Sequence, residues 1–92
     1  MEIVKCEYNN IFKQWVINVQ SNNSMYYSTD YIATYLIKIT YDQFHTMIKY
    51  YGGIIKIGFI LFNSERLAQQ FVDEYLEPQL VMAKLRGDLN EN

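Results

Sequence analysis

One cysteine, one histidine and one proline are all that this 92-residue sequence contains, and each scarcity closes off a class of function. A lone Cys6 cannot form an intramolecular disulfide, so a disulfide scaffold is excluded and a reducing, cytoplasmic compartment is expected. Cys6 and His45 alone cannot complete a tetrahedral zinc site within one chain, so no metal is expected. The opening MEIVKCEY lacks the basic start and long apolar core of a signal peptide. The longest apolar run, residues 57–62, is far short of the roughly 20 residues that cross a bilayer, so no membrane partner is expected.

Arginine is also scarce, with none before Arg66, and the formal charge is -2. A general polyanion binder needs clustered Lys and Arg, which are missing. The charge is uneven: residues 1–64 hold five Lys against four acids, and residues 65–92 hold three bases against six acids. Gly52-Gly53 is not followed by the Lys-Ser/Thr of a phosphate-binding loop, and no GxGxxG occurs. His45 is the sole side chain of suitable pKa for a general base and reads as a surface residue. Cys6 reads as a small buried hydrophobe. Asp73, Glu74 and Glu77 are the densest carboxylates and read as a solvated helix face. No catalytic residue, enzyme class or cofactor is expected.

What is abundant is apolar and aromatic: half of the residues are hydrophobic and 16% aromatic, enough for a packed core. A single α+β domain over residues 1–87 is expected, with a frayed tail at 88–92. Ile, Asn, Lys and Tyr supply 34 of the 92 residues, all types with AT-rich codons. That composition fits an AT-rich genome, such as a phage or mobile element.

Alternation of Val4, Cys6 and Tyr8 predicts a strand over residues 2–8, and Asn9-Asn10 predicts a tight turn. A second strand follows with Ile11, Trp15, Ile17 and Val19 on one face. YIATYLIKIT, residues 31–40, predicts a third strand on its β-branched and aromatic content. Ile32, Tyr35, Leu36 and Ile39 also fit a helical period there. Thr40 to Gln43 forms a capping box, after which Phe44, Met47, Ile48 and Tyr51 make one helical stripe that Gly52-Gly53 ends. IIKIGFILF predicts a central strand with two covered faces. Asn63 or Ser64 caps a second helix carrying Leu67, Ala68, Phe71, Val72 and Tyr75, with a kink expected near Leu76 to Pro78. The expected fold is therefore a two-layer α+β sandwich. It has a four-stranded mixed sheet, two helices on one face, the order β-β-β-α-β-α, and its third and fourth strands parallel.

Two stretches remain that neither strands nor helices absorb. SNNSMYYSTDY, residues 21–31, reads as a long connection that sets large side chains among small polar ones. Met25, Tyr26, Tyr27 and Tyr31 are thus the first candidates for a partner-binding surface. In the C-terminal PQLVMAKL, Leu80, Val81, Met82 and Leu85 spread too widely for one stripe, so some are expected to be exposed or to meet another chain, with a homodimer or packing within the chain favoured over a foreign partner for this segment. Together these predict a stoichiometric binder of a host protein. Its expected form is a phage or mobile-element inhibitor of a host enzyme or defence nuclease, an anti-CRISPR being one example. The alternative is a single-stranded nucleic-acid binder that stacks bases on Trp15 beside Lys13, Lys38 and Lys56 on an uncovered sheet face.

Overall fold

The computed structural model describes residues 2–90, with side chains through Gly87. The expected first hairpin is present: β1 (Glu2–Asn9) and β2 (Gln14–Ser21) pair antiparallel, Val4 facing Val19 and Cys6 facing Ile17. Its turn is longer than Asn9-Asn10 implied. The Asn9 side-chain oxygen accepts from the backbone N–H groups of Ile11 and Phe12, each at 2.9 Å, and Lys13 takes a left-handed φ of 56°. Ile11 therefore stands exposed in the connection and takes no part in the strand.

The long connection expected at residues 21–31 is a second hairpin. Asn22 and Asn23 both adopt positive φ, the requirement of a two-residue type I′ turn. They fold β3 (Ser24–Tyr26) back onto β2. IIKIGFILF is likewise two strands and not one. β4 (Ile54–Lys56) and β5 (Phe59–Phe62) pair across Ile57-Gly58, again both at positive φ. The sheet order is β1-β2-β5-β4, and β3 shares with β5 the edge of β2 opposite β1. Every pairing is antiparallel, so the expected mixed sheet is corrected. The reason is that residues 31–40 are not a strand.

That segment forms α1 (Thr29–Tyr31), which continues as a π-helical turn over Ile32–Leu36. Ser28 caps it by accepting from the Tyr31 N–H. β-branched content favoured a strand, but burial of Ile32, Ala33 and Ile37 in one core overrides local preference. α2 (Tyr41–Tyr50) starts at the expected capping box, Thr40 and Gln43 bonding each other's backbone N–H. α3 (Glu65–Phe71), capped by Ser64, passes through a π turn at Val72–Leu76 into α4 (Glu77–Asn90). The expected interruption at Pro78 is absorbed by that wider turn, because proline cannot donate to the residue four before it. α4 extends the backbone helix to Asn90, through part of the expected tail. Glu91 and Asn92 lie outside the described residues.

The helices lie on one side of the antiparallel sheet, giving a two-layer α+β sandwich. Ile17 and Val19 of β2, Ile60 and Phe62 of β5, Ile32 and Ile37, Phe44 and Ile48 of α2, and Phe71 and Leu76 share one buried cluster. Gly53 ends α2 against this cluster. A Cβ there would stand 2.7 Å from Cζ of Phe62 and 2.9 Å from Cγ2 of Ile48. Gly53→Ala is therefore expected to destabilise by about 1–3 kcal/mol through overpacking, read as a lower urea midpoint. An unchanged midpoint would show that Phe62 can yield.

Candidate partner-binding site

β3 distributes its side chains to both faces of the sheet. Tyr26 lies opposite Val19, on the helical side, and Met25 opposite Gln20, on the other. On the helical side the Tyr26 and Tyr31 rings stack at 4.5 Å with an 8° interplanar angle, and Tyr35 follows Tyr31 at 4.9 Å. Tyr31 and Tyr35 meet because residues four apart share a helix face. The result is a three-ring ladder whose outer member, Tyr35, is 63% exposed. The adjacent Tyr26 hydroxyl, and then desolvation, push the Tyr31 phenol above its ordinary pKa.

A second aromatic row occupies the opposite face. Phe12 lies 5.5 Å from Phe59, and Phe59 lies 5.7 Å from Tyr27. The Tyr27 hydroxyl donates to the Met25 sulfur at 2.9 Å. Phe12 comes from the β1–β2 turn, so to reach Phe59 it leans back over the level of Val16 and Leu61, both buried on this face.

The two rows converge where β3 meets the β4–β5 turn. Thr29 fixes that corner: its N–H and its hydroxyl both donate to the Gly58 carbonyl, at 2.8 and 2.7 Å. Met25, Tyr26, Tyr27, Tyr31, Ile57 and Phe59 line a groove there of about 420 Å³. Met25 and Tyr27 are each 38% exposed, and Ile57, at the tip of the turn, is 81% exposed. Ile57 is also strained, because a β-branched residue at a φ of 52° brings its Cβ against its own backbone.

One buried group under this corner has no partner. Asn18 is fully buried, and neither atom of its side-chain amide is hydrogen-bonded among the described residues. It sits in β2 between the part that pairs with β5 and the part that pairs with β3. One step further along each register brings Phe59 and Tyr27 level with it.

The other candidates are dispersed. Leu80 is buried in the core, whereas Val81, Met82 and Leu85 are each half exposed or slightly more. Trp15 packs against the core on the helical side, in line with Ile17 and Phe62. Lys13 lies in the β1–β2 turn, Lys38 between α1 and α2, and Lys56 at the end of β4, so these four do not share one surface. Cys6 is on β1, while His45 is on α2, which packs against β4 at the opposite margin of the sheet. Burial, and then the charges of Asp73, Glu65 and Glu77, push the Cys6 thiol up to about 11, leaving little thiolate at neutral pH. Asp73 accepts from Gln69, and Glu74 from the Tyr51 hydroxyl. Among the described residues no group of three or more His, Cys, Asp or Glu is gathered as metal ligands would be, and no helix is long and apolar enough to cross a membrane.

Sequence reasoning named Met25, Tyr26, Tyr27 and Tyr31 but missed Phe12, Tyr35, Ile57, Phe59 and Asn18. The Ile57-Gly58 pair was the available signal, since a Gly inside an apolar run also reads as a turn. Comparison with protein-family models, curated proteins and solved structures returned no match.

Proposed function

We propose that this chain is a non-enzymatic factor that holds a partner protein stoichiometrically at the corner formed by β3, α1 and the β4–β5 turn. The observation that carries this reading is Ile57, an exposed apolar residue in a backbone conformation that opposes it. The same chain fills its other type I′ turn with Asn22 and Asn23, residues that tolerate the left-handed region. Strain of this kind at an apolar tip beside an aromatic groove is what a contact residue would require and what folding alone would not. Tyr and Met side chains around it offer large contact area at small entropic cost.

Ile57→Asn separates the two roles. Relief of the strained turn is expected to raise the unfolding free energy by about 1 kcal/mol. Loss of the anchor is expected to weaken partner capture by about tenfold or more. Wild type, Ile57→Asn and Tyr35→Ala would be compared by affinity capture from the native host, with mass spectrometry and then titration of the captured protein. A variant that is stabilised yet captures the same protein equally well would overturn the reading.

The form we propose is an inhibitor: a phage or mobile-element accessory protein acting on a host enzyme or defence nuclease, for example as an anti-CRISPR. Small size and an abundance of residue types with AT-rich codons support that form. Homodimerisation through exposed Val81, Met82 and Leu85 belongs to the same proposal, and a Met82→Lys variant that sediments like wild type would remove it. Salt-sensitive binding of a fluorescent oligonucleotide would instead favour the nucleic-acid reading.

A further inference from the structure

At the sheet's margins β3 and β4 are three residues each, but β1 is eight residues long and its outer edge pairs with no strand among the described residues. Its register with β2 runs unbroken from Glu2 opposite Ser21 to Asn9 opposite Gln14, so no bulge twists the edge away, and β1 contains no proline. Every second residue of such a strand turns its N–H and C=O outward. Native sheets usually shorten, bend or cover an edge of this length because it templates pairing with another chain.

The helical side of this edge is acidic and carries an apolar recess. Glu2, Val4, Glu77, Leu80, Val81 and Lys84 line a groove of about 220 Å³ between β1 and α4. Glu65, Asp73 and Glu77 lie near enough to Cys6, in the middle of β1, to act on its thiol. Glu65, Gln69 and Asp73 recur every fourth residue, which sets them in one row flanking the buried face of the helix.

We infer that β1 is a strand-addition site for an extended, basic segment of a partner protein. Backbone pairing along β1 would supply the affinity. Basic side chains turned toward the helices would meet Glu2, Asp73 and Glu77, their aliphatic stems lying over the recess. A second copy of the chain fits less well. Antiparallel pairing of β1 with β1 about a two-fold axis keeps both helical layers on one side and so brings two acidic faces together. On the other face such an axis can set Lys5 opposite Glu7 of the second copy, an exposed pair that contributes little. This site lies across β2 from the aromatic corner and does not depend on it.

Capped peptides of alternating Lys and Val, matched to the eight residues of β1, test the inference by calorimetric titration of the full chain. The Lys-Val peptide is expected to bind about tenfold or more tighter than its Glu-Val counterpart. N-methylation of every second residue blocks one edge of the peptide strand, so one of the two N-methylated series should lose binding and the other keep it. Asp73→Lys with Glu77→Lys changes two exposed residues and should reverse the charge preference, with circular dichroism confirming an unchanged fold. Equal binding of both N-methylated series, or a charge preference unmoved by that reversal, would overturn the proposal. So would a sedimenting dimer whose β1 amides are protected from hydrogen exchange.

Discussion

Phe71→Ala is expected to lower the unfolding free energy by about 3–5 kcal/mol, the usual cost of emptying a fully buried aromatic site. Phe71 is wholly buried, and its ring meets those of Phe44, Tyr51, Phe62 and Tyr75 at 5.4 to 6.0 Å. It is where α3, α2 and β5 touch one another. Its loss would remove the buried area of one side chain and the aromatic contacts of four neighbours at once. A domain of this size has only about 5–15 kcal/mol of net stability, so the variant should lose a large share of it. Chemical denaturation followed by tryptophan fluorescence would read the change, because Trp15 packs against the same core. A loss below about 1 kcal/mol would mean that the four rings close over the space, which close-packed cores rarely do.

Asn18→Val is expected to act in the opposite direction. A buried amide without partners carries a desolvation cost of about 1–3 kcal/mol, and valine suits a covered strand position. The variant should therefore gain about that much stability, seen as a higher urea midpoint with an unchanged slope. A variant that is less stable would overturn that expectation. A stabilised variant that no longer captures its partner would place the amide within the partner-binding corner.

The elements with a closed local grammar were legible in the sequence. Thr40 and Gln43 specify the start of α2, Ser64 that of α3, and Gly52-Gly53 the end of α2, because each satisfies backbone groups that no distant residue can reach. The β1–β2 hairpin was legible for a similar reason, since alternating apolar residues can cover a core from one register only. Residues 31–40 were not. Their side chains suit a strand and a helix about equally, and only the space beneath α2 and α3 selects the helix. The β4–β5 turn was hidden because Ile57 occupies a position that local preference gives to Asn, Asp or Gly. Met25, Tyr26 and Tyr27 were found as candidates by composition, but their division between two aromatic rows follows from the pairing of β3 with β2, which no local pattern announces.

By itself, then, the amino-acid sequence determined an α+β chain with a real core, well-capped helices, one cysteine too few for a disulfide, and no stretch long enough for a membrane helix. Tertiary structure alone decided which side of each strand is covered, that Ile57 is held exposed against its own backbone preference, and that the outer edge of β1 meets no strand among the described residues. The physical reason is range. Caps and turns are decided within about four residues. Burial and edge pairing are decided by whatever the rest of the chain brings alongside.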